Sequence, residues 1–193
     1  MRKAIYLAVF LTVIASGIIA GSMLITKNVS LEDLPGSDGS MANLMANQQF
    51  CVEFKPSGSS IWQDYGCKKN TITTAGLNYV ELLLGVGANS PAKYLALGNG
   101  TTVAVGDTTL NNEQTDCGLA RATGTYYDLG NGWWEINNTY TYSCSVSRVV
   151  NTTANFNASS SGTLYAGGTI STVTFTTSGD QLKLRHNFTF AEG

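Results

Sequence analysis

The feature that most constrains this chain is the two-residue alternation of its last third. From Trp133 to Ser145, Trp134, Ile136, Tyr140, Tyr142 and Cys144 fall on one side and Glu135, Asn137, Thr139, Thr141 and Ser143 on the other. After Ser178-Gly179-Asp180, Leu182, Leu184, His186, Phe188 and Phe190 alternate with Lys183, Arg185, Asn187 and Thr189 in the same way. Opposite faces for successive side chains mean a strand, and a strand with one apolar face needs a second layer to cover it. Only 12% of residues are charged and 21 of 193 are Gly, with Thr, Ser and Asn between the apolar positions. That balance predicts a mainly β, antiparallel β-sandwich, of jelly-roll or immunoglobulin-like kind, with one short helix.

Earlier segments fit the same pattern. Gln49 to Pro56 and Ile61 to Tyr65 read as a hairpin across Pro56-Ser57-Gly58. Thr73 or Thr74 caps a helix carrying Leu77, Val80 and Leu84, which Gly85 ends; so apolar a helix is expected to be covered, plugging one end of the sheet core. Lys93 to Glu113 reads as strand, turn and strand, with Gly98-Asn99-Gly100 expected at positive φ. Gly118 to Tyr127 is the next strand, turned back by Leu129-Gly130-Asn131-Gly132. Asn151 to Ser161 reads as a polar loop, and Gly162 to Ala166 and Ile170 to Thr176 as two short strands.

The N-terminus predicts export. Arg2 and Lys3 precede an uncharged run from Ala4 to Thr26, closed by Lys27. Residues 1–26 read as a preceding hydrophobic helix, a signal peptide or a membrane anchor; a third reading takes Lys3-Ala4 as a prepilin-type processing point. Uncleaved, residues 4–26 would make the membrane a partner. Residues 27–48, broken by Pro35-Gly36-Ser37-Asp38-Gly39-Ser40, form a linker or an arm able to dock on a neighbour's sheet edge, and self-association is expected through this arm or the leader helix. Residues 49–193 form the body.

Four cysteines, Cys51, Cys67, Cys117 and Cys144, suit an oxidising exterior. Of the three pairings that four cysteines allow, Cys51 with Cys67 and Cys117 with Cys144 close the shortest segments between neighbouring strands. No C-x-x-C pair argues for zinc.

Six N-glycosylation acceptors occur, at Asn28, Asn99, Asn137, Asn151, Asn157 and Asn187. The only histidine, His186, falls on an apolar strand face, where a satisfied core imidazole is expected. Asp107, Glu113 and Asp116 lie close in sequence but match no calcium loop. Trp62 and Trp133 are the candidates for surface aromatics able to stack on sugars. Beyond residue 26 there are 9 Lys+Arg and 13 Asp+Glu with no basic cluster, which argues against nucleic acid as partner. Neither a cofactor nor a catalytic group is implied.

In order, Tyr94-Leu-Ala-Leu-Gly-Asn-Gly-Thr-Thr102, Gly106-Asp-Thr-Thr-Leu-Asn-Asn-Glu113, Gly118-Leu-Ala-Arg-Ala122, Asn157-Ala-Ser-Ser-Ser-Gly-Thr-Leu-Tyr-Ala166 and Ser178-Gly-Asp-Gln-Leu182 resemble a β-sandwich module of tailed-phage structural proteins and of secreted archaeal surface and filament proteins. The resemblance spans about Asn70 to Phe190 and implies a building block, with Arg121 matching the module's basic residue and carrying no catalytic role. Leader, cysteines and sequons depart from the phage pattern. The expectation is therefore a non-enzymatic extracellular structural or adhesive protein, a subunit of a pilus- or thread-like filament. A phage tail or virion protein and a carbohydrate-binding module are the alternatives.

Overall fold

The computed structural model describes residues 48–87 and 91–189; the leader, almost all of the arm, Asn28 and Phe190 lie outside them. Ten strands follow in order: β1 Gln49–Lys55, β2 Gln63–Lys69, β3 Thr71–Ile72, β4 Tyr94–Gly98, β5 Ala122–Thr123, β6 Thr125–Gly130, β7 Trp133–Thr141, β8 Arg148–Phe156, β9 Leu164–Phe175 and β10 Gln181–Thr189. One helix, α1, Thr74–Val86, lies between β3 and β4. The strands pair antiparallel into two five-stranded sheets, sheet A in the order β2-β1-β10-β7-β6 and sheet B in the order β3-β9-β8-β4-β5.

The alternation read from the sequence is what packs the sheets together. Leu182, Leu184, His186 and Phe188 are all buried, with Ile136, Tyr140 and Tyr142 beside them and Phe50, Val52 and Phe54 from β1. They share one core with Leu95, Leu97, Val150, Tyr165, Val173 and Phe175 of sheet B. Tyr140 ties the layers by donating its hydroxyl to the Leu95 carbonyl, 2.8 Å away, and Phe54 meets Phe175 edge-on at 5.6 Å.

Sheet B is buried on its other face too. Ala96, Ala154, Phe156 and Leu164 face away from sheet A and are covered by Val103 and Leu110 in a second core. The segment after β4 is thus a lid over its own strand. The expected second strand of Lys93–Glu113 is absent; a single bridge joins Gly98 to Glu113. Gly98, Asn99 and Gly100 do not take positive φ either. Their smallness serves close approach: a Cβ on Gly98 would lie 2.7 Å from Thr152 Oγ1, and one on Gly100 2.7 Å from the Asn111 carbonyl oxygen.

Other expectations are corrected by the same double burial. Residues 151–156, expected as a polar loop, belong to the central strand β8, where Thr152, Thr153 and Asn155 are fully buried. Their polarity misleads because a buried hydroxyl or amide can find a partner inside, as Thr153 does by donating to the Ala96 carbonyl at 2.7 Å and Asn155 Nδ2 does at His186 Nδ1, 3.2 Å away. The two short strands expected after it are one strand, β9. Gly118 to Tyr127 is broken into β5 and β6 at the buried Gly124, whose missing Cβ leaves room for Ile136. Leu129-Gly130-Asn131-Gly132 turns as expected, with φ of 76°, 52° and 76° at its last three residues.

Thr73 caps α1 as read, accepting the Gly76 N–H at 2.9 Å, but the helix passes through Gly85 and stops at Gly87, whose φ of 70° is the left-handed cap. Nor is α1 enclosed. Gly76 presses it onto the Tyr165 carbonyl of β9, and Tyr79 is buried there, while Leu82 remains 51% exposed.

The disulfides are Cys51–Cys67 and Cys117–Cys144, with Cα atoms 4.0 and 5.2 Å apart. The first joins directly paired residues of β1 and β2. The second anchors the tight turn at Gly118 to the end of β7, where Ser143 N–H reaches the Cys117 carbonyl at 3.0 Å. Bridges of sequence separation 16 and 27 each contribute about 3 kcal/mol by restricting the unfolded chain. The Cys117→Ser/Cys144→Ser variant is expected to lose about 3 kcal/mol in urea unfolding, and a loss below about 1 kcal/mol would contradict that value.

Candidate functional site

A reactive side chain can act only where its neighbours leave it free. His186 is not. Its ring is fully buried, stacked on Phe50 at 4.0 Å and against Phe188 at 3.9 Å. Asn70 Nδ2 lies 2.6 Å from Nε2 and 3.3 Å from Gln48 Oε1, so Asn70 donates to both. Asn155 Nδ2 lies 3.2 Å from Nδ1, so each ring nitrogen faces a side-chain amide of the interior. Burial pushes the imidazole well below its ordinary value of 6.5. Gln48, expected to close the arm, is itself part of this network and 3% exposed.

The three neighbouring carboxylates part company. Asp107 accepts the Ala104 N–H at 2.8 Å, Asp116 pairs with Arg148 at 3.0 Å, and Glu113 turns to Arg121. No group of three or more metal-ligating side chains occurs among the described residues.

Arg121 and Glu113 form the most enclosed ion pair of the body. Arg121 Nε and Nη2 grip the Glu113 carboxylate at 2.9 and 2.7 Å, Nη1 donates to the Ala158 carbonyl at 3.1 Å, and the guanidinium lies 3.4 Å over the Phe156 ring. The pair floors a depression of about 410 Å³ walled by Ala75, Thr108, Thr109 and Leu164. Three of the five guanidinium N–H groups are engaged and one face of the guanidinium is covered by Phe156, so the pair acts as a clasp on the lid.

Sheet edges offer more. β2 is blunted by Lys68 and Lys69, by a bulge between Cys51 and Glu53, and by Gly66 at φ 79°. On sheet B, β3 and β5 are two residues each, and the flank of β4 is occupied by Gln114 N–H on the Leu97 carbonyl and Asn99 N–H on the Asn112 carbonyl. β6 differs. All six of its residues are exposed, Tyr126 at 61% and Leu129 at 57%; it carries neither Lys nor Pro, and no described strand pairs with its outer side.

The outer face of sheet A is polar. Glu53 pairs with Arg185 at 2.7 Å, Arg185 reaches Glu135 at 4.0 Å, and Asn137 donates to Glu135 at 2.6 Å. Tyr127 stands opposite Glu135, and Trp133 precedes it on the same face, each about half exposed. Trp62, the other expected surface aromatic, is half buried, with the Lys55 ammonium 5.0 Å from its ring centre. Tyr126 and Tyr127, which the sequence offers among its sugar-stacking aromatics behind Trp62 and Trp133, are exposed as well; an edge strand shows both faces to water, which alternation alone does not reveal.

Five of the six sequons fall on described residues. Asn99 lies in the turn after β4, Asn137 on β7, Asn151 on β8, Asn157 just after β8 and Asn187 on β10. Neither a protein-family model nor a curated protein matches this chain.

Two outcomes are expected. The folded ring of His186 stays neutral while the unfolded one takes up a proton below about pH 6.5, so stability is complete above that pH and falls as pH drops, by up to about 1.4 kcal/mol per unit. Urea midpoints at about pH 7 and about pH 5 should show this slope, and His186→Gln should lack it. Arg121→Lys should cost about 1–2 kcal/mol and speed amide exchange at Asn99 and Gln114, with exchange elsewhere unchanged.

Proposed function

We propose that this chain is an exported, non-catalytic structural or adhesive subunit of a pilus- or thread-like cell-surface filament. The observation that carries the reading is the contrast between the two edges of sheet A. β2 is armoured with lysines, a bulge and a disulfide, whereas β6 carries one acid, Asp128, and a register shift only beyond it, between Asp128 and Gly130, which leaves Thr125 to Tyr127 regular and uncharged. Folds that must stay solitary blunt both edges; an edge left open suits pairing by strand addition. The arm, residues 27–48, is the partner strand proposed from a neighbouring copy, with Met41, Leu44 and Met45 as its apolar side chains. Two disulfides support the exterior location, since such bridges persist in oxidising compartments. The leader supports it independently through its charge pattern.

A second reading rests on its own observation. Tyr127 and Trp133 flank Glu135 and Asn137 on one flat face, an arrangement of aromatic rings beside polar groups that suits a saccharide. Binding to a glycan array that is lost in Trp133→Ala would favour it.

Tyr126→Lys, and separately deletion of residues 28–46, are expected to leave the unfolding midpoint unchanged while weakening self-association at least about tenfold in sedimentation, because a lysine on the edge opposes strand pairing. Undiminished association in both variants would remove the filament reading.

A further inference from the structure

We propose that the folded body accepts N-linked glycans at Asn99 and Asn157 and refuses them at Asn137, Asn151 and Asn187. Transfer joins the Asn amide nitrogen Nδ2 to C1 of a sugar carried on a polyprenyl phosphate or diphosphate. The C1–O bond to the lipid phosphate breaks, the phosphate leaves as the anion, and Nδ2 gives up one proton. An acceptor must therefore present both a free Nδ2 and the hydroxyl two residues on, from backbone able to leave its neighbours.

Two of the five described sequons meet these conditions. Asn99 and Thr101 are both exposed in the turn after β4, and Asn99 Nδ2 donates to nothing among the described residues. At Asn157 the side-chain oxygen accepts the Thr163 N–H at 2.7 Å, which holds the amide in place while Nδ2 stays unengaged, and Ser159 is exposed beside it. Each sits beyond the end of a strand, held through its backbone by one loop neighbour, Asn112 for Asn99 and Thr163 for Asn157, and not by strand ladders on both sides.

The other three fail for separate physical reasons. Asn137, on β7 between β6 and β10, has its Nδ2 committed to Glu135 at 2.6 Å. Asn151 is half-exposed, but its hydroxyl partner Thr153 is fully buried and bonded to the Ala96 carbonyl. Asn187, on the central strand β10, turns Nδ2 toward Cys51 Sγ at 3.5 Å, its oxygen is buried, and Thr189 is only 5% exposed.

The partition has a sidedness. Asn99 follows Gly98, opposite Thr152, and Asn157 follows Phe156, opposite Tyr94, so the two acceptors flank opposite ends of the β4–β8 pair, on the order of 20 Å apart. Both border sheet B, which also carries the closed Asn151; the other closed sequons, Asn137 and Asn187, belong to sheet A, whose β6 edge is left bare, so sheet A has no open acceptor among the described residues. The inference deepens the proposed surface role by separating a glycan-bearing layer from a docking layer, yet it rests on that reading only for its biological setting.

The test needs no assembly. Purified, disulfide-intact full chain would be incubated with a single-subunit oligosaccharyltransferase and polyprenyl-diphosphate-linked oligosaccharide, alongside the reduced and alkylated chain, and occupancy read by glycopeptide mass spectrometry. Expected in the folded protein is modification at Asn99 and Asn157 with at least tenfold lower occupancy at Asn137, Asn151 and Asn187; in the reduced chain all five become modified. Comparable occupancy at any of those three in the folded protein overturns the proposal. So does an unmodified Asn99 and Asn157, in either form of the chain, or three closed sites that stay empty after reduction. Self-association measured on the same preparation fails or holds independently of these outcomes.

Discussion

Burial of sheet B on both faces is the constraint from which most of this architecture follows. A sandwich sheet ordinarily turns one face to water. Here the outer face of β4, β8 and β9 is roofed by the chain that leaves β4, and that roof must lie close. Small residues answer the demand: Ala96, Ala154 and Gly167 form the row beneath Val103, and a Cβ on Gly167 would come within 2.7 Å of the Val103 side chain. A run of small residues that would be a weakness in an open sheet becomes the seat of a second core.

The roof also needs fastening, because a segment without strands has no ladder of its own. Arg121 does this from beneath, gripping Glu113 on one side and the Ala158 carbonyl on another while its plane rests on Phe156. Four separate stretches of the chain thus converge: the Leu-Gly-Asn-Gly end of β4, Glu113, Arg121 and the loop after β8 meet at one clasp.

Polarity inside the body follows a similar logic. His186, Asn155, Asn70 and Gln48 form a chain of amides and imidazole, and of the four only His186 lies where alternation assigns a core position. Buried polar groups are tolerated when paired, and their directional bonds fix how one sheet sits on the other in a way that apolar contact does not. The stability of that seam depends on the ring being uncharged.

Read from residues alone, the alternating strands β7 and β10, the hairpin turn at Gly130, Asn131 and Gly132, the Thr73 cap and the nearest-neighbour cysteine pairing were all legible, because each depends on a period of two, on contacts a few residues apart or, for the cysteines, on the shortest loops that four of them allow. What escaped was set by distant parts of the chain. β8 was hidden because Thr, Asn and Ala look solvated until a partner strand and a histidine more than thirty residues away satisfy them. The Gly98 and Gly100 glycines looked like turn formers, but they serve contacts with Thr152 and Asn111. The composition settled that the chain would build layered antiparallel sheets and harden them with sulfur; only packing decided which face is roofed, which edge stays open and which asparagines keep a free amide, because those depend on neighbours that no local window contains.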